Sequence, residues 1–260
     1  MLDHIEKLFQ ARSLDEVWAL HTAKMKRFGF DRLLYGYVRF RSAIDTASLD
    51  DTLILSNHTN AYLEAFFGAG LYRHAPMVDW AVSNEGVRSW REVAEAAAQG
   101  KLSPMTMRVL EVNAAHGVVA GLSISFQAES PRSKAAIGLC AAPGLDQDAV
   151  DRIWARHGRE ILALNNLMHM RITALPFVCA SRLLTPRQRE VLEWVGDGKT
   201  AADIGEILNV SVATVEKHLR LAREVLGVET TAQAVLKASM QRQIFLVPDE
   251  SEPQRGLPLP

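Results

Sequence analysis

A chain of 260 residues, 48% hydrophobic and 23% charged, is long enough for two domains and apolar enough to bury a core. Its formal net charge of −1 carries no global electrostatic signature, so a nucleic-acid partner would have to be met by local residues. Two cysteines, Cys140 and Cys179, stand at no metal-ligand spacing and exclude a disulfide framework, which fits a reducing compartment. The N-terminal MLDHIEKLFQARSLDEVW mixes acids and bases, unlike a signal peptide. Nothing approaches the roughly 18 to 20 apolar residues of a bilayer span. A soluble cytoplasmic protein without a membrane partner is expected.

In chain order, residues 3–28 read as helix, with Ser13 and Glu16 as a capping box before the stripe Leu14, Val17, Trp18, His21 and Met25. Gly29 ends it. RLLYGYVRF (32–40) and TLILS (52–56) read as strands, and 59–67 and 76–83 as short helices. Ser103, with Pro104 behind it, opens a helix to about Ala115. VVAGLSISFQ (118–127) and KAAIGLCA (134–141) form a hairpin around Glu129, Ser130 and Pro131, and Asp146 caps a long helix to about Thr173. Helices around an antiparallel sheet give an α+β sandwich, α-β-α in layers, over residues 1–174. The pattern breaks at Pro176, within a linker over 175–183.

From 184 to 245 the chain reads as four helices, capped by Thr185, Thr200, Ser211 and either Thr230 or Thr231. The tail 246–260 is proline-rich and acidic and is expected to be disordered. The third helix buries Val215, Leu219, Ala222 and Leu226 as one stripe. Its opposite side carries Ala213, Thr214, Lys217 and Arg220, with Arg223 nearby. That face is either a solvated basic surface or a reader of a DNA major groove, its N-terminus toward the bases. Nine Lys/Arg against eight Asp/Glu over 181–245 make the segment only weakly basic.

Residues 183 to 245 resemble the LuxR-type DNA-binding domain. Leu192, Trp194, Gly198, Lys199, Thr200, Ile204, Leu208, Ser211, Thr214, Val215 and His218 match that family's run in register. The resemblance implies a helix-turn-helix with double-stranded DNA, a second copy of the chain and RNA polymerase as partners, and DNA contacts from Thr200, Ser211, Ala213, Thr214, Lys217, His218, Arg220 and Arg223. Three positions depart from it: Gln188 for a usual Glu, Leu221 for Asn and Val225 for Lys.

The first 174 residues resemble the autoinducer-binding domain that precedes such readers. Its ligand motif, W-x3-Y-x8-D-P-x13-W with a later glycine pair, matches at Pro76, Trp90, Gly117 and Gly121. Tyr62 stands at the first Trp, Phe66 at the Tyr and Ala75 at the Asp. In the family these three bind the lactone carbonyl, the amide carbonyl and the amide N–H of an acyl-homoserine lactone. Tyr62 can still donate, Phe66 cannot hydrogen-bond and Ala75 cannot accept; His74 is a neighbouring substitute. The ligand site is therefore expected at Tyr62, Phe66, Ala75, Pro76, Trp90 and Gly121, for an acyl-homoserine-lactone-like molecule or a less polar analogue. The alternative for Tyr62, Phe66, Trp80 and Trp90 is plain aromatic core, which suits Phe66 and Trp80 better.

No nucleophile elbow, zinc-protease motif, P-loop or dinucleotide fingerprint occurs, the histidines are scattered, and neither an enzyme nor a metal or cofactor is expected. The expected protein is a dimeric quorum-sensing transcription regulator on a palindromic site, with an atypical ligand or none. The alternative is a ligand-independent module that inhibits other regulators through mixed dimers. The dimer face is expected on the long helix, at Ile161, Leu164, Leu167 and Met168, and on the last helix.

Overall fold

The computed structural model describes residues 2–38, 52–128, 130, 133–175 and 183–245. The interior of the expected linker, the tail, Cys179, Glu129 and Pro131 lie outside them. The described residues form two compact units, one up to Leu175 and one from Leu183.

The first unit is an α+β sandwich around a five-stranded antiparallel sheet. In chain order it runs α1 (Leu2–Gln10), α2 (Leu14–Lys26), β1 (Phe30–Val38), β2 (Thr52–Ser56), α3 (Asn60–Leu63), α4 (Pro76–Ser83), β3 (Gly86–Ser89), α5 (Arg91–Ala98), α6 (Pro104–Ala115), β4 (Gly121–Ser125), β5 (Lys134–Ala141) and α7 (Gln147–Ala174). A π-turn over Glu64–Gly68 and a 3-10 turn over Leu71–His74 join α3 to α4. The strand order is β2-β1-β5-β4-β3.

The expected single helix over 3–28 is two. The Ser13 hydroxyl accepts from the Glu16 amide at 3.0 Å, and the Glu16 carboxylate accepts from the Arg12 amide at 2.8 Å. Ser13 itself is extended (φ −131°, ψ 154°). A capping box starts a helix and cannot lie inside one, because its first residue must leave helical geometry. Strand β3 and helix α5 have no reading in the sequence: β3 is four residues with two polar ones, and α5 is a short alanine-rich octet that fully buries no residue.

The sheet has two unlike faces, because side chains alternate along each strand. On one face, Leu33, Leu139 and Leu122 form a rung, as do Tyr35, Ile137 and Ile124. This face packs on α2 and α7: the Tyr35 ring lies 6.5 Å from that of Trp18, and its hydroxyl is 2.8 Å from His169 Nδ1. On the other face the rungs are Arg32–Cys140–Gly121, Leu34–Gly138–Ser123 and Gly36–Ala136–Ser125. Apart from Arg32 and Leu34 these residues are small, so the helical layer of α3 to α6 approaches the strands closely.

Helix α7 buries Ile161, Leu164 and Met168 in the core beside Val150 and Ile172. The expected dimer face on those residues is thus corrected. They follow the 3-4 spacing of an inward stripe, and only Leu167 of the four is even half-exposed. His21 lies in the same core, its Nε2 3.0 Å from Asn165 Oδ1.

The second unit is all-α: α8 (Pro186–Gly196), α9 (Ala201–Leu208), α10 (Val212–Leu226) and α11 (Thr231–Met240). Thr185, Thr200, Ser211 and Thr230 cap them through side-chain oxygens. Asn209 in the left-handed region (φ 51°) ends α9. A Cβ on Gly205 would meet the Val210 carbonyl at 2.9 Å, so glycine lets the turn fold back on α9. Leu192, Ile204, Val215, Leu219, Ala222 and Leu226 share one core, with Trp194 and Val225 packed against it. Val225 is half-buried against that core. Gln188 is buried and completes the capping box with Thr185, a task a neutral amide performs without a buried charge.

Candidate functional site

The small-residue face of the sheet and the α3–α6 layer enclose one cluster. Tyr62, Phe66, Leu71, Ala75, Val109, Val118 and Cys140 are buried in it, with Leu34 and Trp90 packed alongside. The structure therefore brings together Tyr62, Phe66, Ala75 and Trp90. The rings of Tyr62 and Phe66 stack with centroids 5.5 Å apart. Trp80 stays outside, half-exposed, with the Arg88 guanidinium 6.0 Å from its ring.

Trp90 is placed by its neighbours. Its indole Nε1 donates to Ser123 Oγ at 3.0 Å and its backbone amide to the Gly121 carbonyl at 3.1 Å. A Cβ on Gly121 would collide with the Leu139 carbonyl and lie 2.8 and 2.9 Å from the Trp90 ring. Gly121 is thus a packing requirement beneath the indole. Gln147, at the start of α7, holds the same glycine by both backbone groups: its Oε1 accepts from the amide at 3.0 Å, and its Nε2 donates to the carbonyl at 3.1 Å. Gln147 also donates to Ser89 Oγ and Asp151 Oδ1, and Arg91 donates to Asp151 at 2.6 Å. Burial opposes ionisation of Asp151, but Gln147, Ser89 and Arg91 outweigh it and hold its carboxyl below the usual range. Residues 89 and 91, on either side of the tryptophan, are both fixed by this network.

Polar groups gather at Tyr62. Its hydroxyl donates to Asn113 Oδ1 on α6 at 3.0 Å, and its ring stacks on His58 at 4.6 Å and meets His116 edge-on at 5.6 Å. Burial, and then Cys140 nearby, push the Tyr62 phenol above its ordinary range. Burial pushes the His58 imidazole down to about 4, which keeps it neutral near pH 7, and pushes the Cys140 thiol up to about 11, which keeps it inert. Arg32 donates to the carbonyls of His116 (2.7 Å) and Gly117 (2.9 Å) and fixes the end of α6. His58, Asn113, Ser123 and Gln147 were missed in the sequence. The spacing 58, 62, 66 was a signal for His58; the others are joined only by the fold.

Ala75 is buried and stands at the N-cap of α4 without a side-chain cap, ahead of Pro76 at the first helical position. Pro76 is half-buried, beside the cluster. His74 is exposed, which removes it as a substitute acceptor for Ala75.

The second unit carries the other candidate surface. On α10, Val215, Leu219, Ala222 and Leu226 are buried, while Ser211, Ala213, Lys217 and Arg220 are exposed and Thr214 and His218 half-buried. Ser211 is occupied as a cap, accepting from the Thr214 amide at 3.2 Å. Thr200 is occupied likewise, donating to Asp203 at 2.7 Å. Arg220 pairs with Glu224 at 2.5 Å, an exposed i,i+4 contact that exchanges readily. Arg223 is half-buried, and its guanidinium donates to Thr231 at 2.9 Å, which ties α10 to α11.

No helix among the described residues is long and apolar enough to cross a membrane. Two family models match the chain: the autoinducer binding domain over residues 13–172, and the bacterial regulatory proteins of the luxR family over residues 182–238. The transcriptional activator protein SolR of Ralstonia nicotianae is 26% identical over 248 residues, covering 86% of this chain and 95% of that protein. The transcriptional activator protein BjaR1 of Bradyrhizobium diazoefficiens is 36% identical over 109 residues, 42% of this chain and 36% of that protein. SdiA of Escherichia coli matches in structure with a TM-score of 0.53 at 15% identity, over 91% of this chain and 94% of its own.

Proposed function

The chain belongs to the LuxR family of bacterial regulatory proteins, and on that premise we propose that it regulates transcription as a DNA-bound dimer whose first unit receives a small acyl ligand. The observation that carries the DNA half is the two-sided α10: Val215, Leu219, Ala222 and Leu226 buried, Lys217 and Arg220 exposed. The small residue Ala213 at its start lets the helix backbone approach a groove, and the two cations reach phosphates or base edges. One reader covers one half-site, so a palindromic promoter requires two copies about one helical turn apart. Bound there, the dimer meets RNA polymerase.

The ligand half rests on the cluster at Tyr62, Phe66, Ala75 and Trp90. It keeps the aromatic shell but no carboxylate at 75, which suits a head group less polar than an N-acyl amide. SdiA of Escherichia coli has been solved with octanoyl-rac-glycerol, an acyl compound without an amide. The test is a titration of a palindromic promoter fragment with the full chain across salt concentrations, with light scattering on the same samples. Binding that weakens with salt, by dimers, supports the reading. A chain without salt-dependent DNA affinity that still pairs with other regulators would be the mixed-dimer inhibitor instead.

A further inference from the structure

We propose that the outward stripe of α7 is a docking surface for an acidic, proline-rich segment, and that its occupant is the chain's own C-terminal stretch, residues 246–260.

Three observations carry the assignment. First, the stripe is built in two halves. Residues 152, 156, 159, 163, 166 and 170 follow one another at steps of three and four, which places them on one side of the helix, and all six are exposed. The first three are Arg152, Arg156 and Arg159; Ala163, Asn166 and Met170 continue the stripe without charge. Arg171 donates to the Ala11 carbonyl at 3.2 Å and so brings the end of α1, with the exposed ring of Phe9, beside the Met170 end. Second, the cations are uncommitted. Arg156 and Arg159 have no hydrogen-bond or ion-pair partner among the described residues, and Arg152 gives only its Nε, to the Asp148 carbonyl at 3.2 Å. The acids that could neutralise them are spent: Asp148 and Asp151 on Arg91, at 2.5 and 2.6 Å, and Glu160 on Lys24 at 3.2 Å. A second copy of the same stripe would bring further cations and no acid. Third, residues 246–260 carry the complement in the same order. Asp249, Glu250 and Glu252 stand together against one cation, Arg255, and Leu257 and Leu259 follow, with Pro248, Pro253, Pro258 and Pro260 among them. Proline lacks the N–H that helix and sheet ladders use, so such a segment docks as an extended chain. The spans agree. At about 3.1 Å per residue, Glu250 and Leu257 lie about 22 Å apart; at about 1.5 Å per residue, Arg156 and Met170 lie about 21 Å apart along α7. With the acids on the arginines, the leucines reach Met170. Single exposed ion pairs hold little, but a row of them beside an apolar anchor makes a contact that salt loosens.

The test reads the mobility of a nitroxide attached through Ser251→Cys in the full chain, with Cys179→Ser to leave no other reactive thiol, since Cys140 is buried. An immobile component is expected at low salt and should be lost at high salt. Arg156→Glu with Arg159→Glu should abolish it, and the further pair Asp249→Arg with Glu250→Arg should restore it. Melting temperatures check that each variant folds; if the reversal unfolds the chain, Arg156→Gln with Arg159→Gln takes its place and should likewise lose the component. A label that is equally mobile at every salt concentration overturns the inference. So does an immobile component that survives the arginine substitutions, which would put the segment on another surface, and so does one that the reversed acids fail to restore.

Discussion

Gly121→Ala tests the geometry of the sensor cluster with one methyl group. Gly121 lies in strand β4 and its backbone is not in the left-handed region, so alanine adds no torsional strain. The cost is purely steric: the new Cβ collides with the Leu139 carbonyl and lies 2.8 Å from the Trp90 ring. The carbonyl belongs to the neighbouring strand and cannot rotate away, so the strand pair must part or the indole must leave Ser123. Overpacking of this kind costs roughly 1 to 3 kcal/mol, and loss of the Trp90–Ser123 hydrogen bond about 1 more. We expect a destabilisation of roughly 2 to 4 kcal/mol, confined to the first unit. Of the tryptophans, only Trp194 lies in the second unit, so urea unfolding in a Trp194→Phe background reports the first unit by fluorescence. In a Trp90→Leu background the same substitution should cost about 1 kcal/mol less, because the ring clash is gone and the carbonyl clash remains. A change below about 0.5 kcal/mol, or equal costs in both backgrounds, refutes the packing argument.

Lys217→Ala and Arg220→Ala should each weaken DNA binding by about 1 to 3 kcal/mol where they meet bases; a residue meeting only phosphate should instead lower the salt slope by about one, read by anisotropy titration. Arg223→Ala should lower the melting temperature of the second unit through loss of the Thr231 contact and leave that slope unchanged. Ala75→Asp with Phe66→Tyr should improve binding of ordinary acyl-homoserine lactones by one to two decades, at roughly 0.5 to 1.5 kcal/mol per recovered hydrogen bond, measured by calorimetry. Stability should fall in acid: burial pushes His21 down to about 3, so the unfolded chain takes up the proton first. That contribution is complete above about pH 6.5 and is lost as pH falls toward 3, on the order of 2 to 3 kcal/mol by pH 4.5; His21→Gln should flatten that part of the profile.

The second unit was legible because each of its helices carries its own cap and its own stripe. Thr185, Thr200 and Ser211 are local signals, and Val215 to Leu226 is one clean period. The sheet was legible in part: β1, β2 and β5 are rich in β-branched, aliphatic and aromatic residues, whereas β3 has a glycine, an arginine and a serine in four residues. Its place is decided by pairing with β4, which no local pattern encodes. The site behaved the same way. Tyr62, Phe66, Ala75 and Trp90 are indicated by the resemblance to the autoinducer-binding motif, but Asn113 and Gln147 reach Tyr62 and Gly121 from 51 and 26 residues away. The α7 residues Ile161, Leu164 and Met168 face the core, and apolarity alone does not distinguish such a stripe from an exposed dimer face.

Position 75 joins these threads. An Asp there would serve two ends, as N-cap of α4 and as acceptor for a ligand. Ala75 keeps the cap geometry (φ −81°, ψ 116°) and supplies no side chain, yet α4 forms. Pro76 explains why: it has no N–H and so removes one of the unpaired donors of the first turn, and its fixed φ suits a helix start. The amides of Val78 and Asp79 both find the Ala75 carbonyl, at 3.0 and 3.1 Å, and the Asp79 carboxylate lies in the first turn, where the helix dipole favours it. The fold therefore does not need an acid at 75. Restoring one should add a cap worth about 1 kcal/mol against the desolvation of a carboxylate at a buried position, so Ala75→Asp alone should change stability little without ligand. What residue 75 cannot do is accept a hydrogen bond from a ligand, because its buried methyl group leaves that part of the cluster apolar.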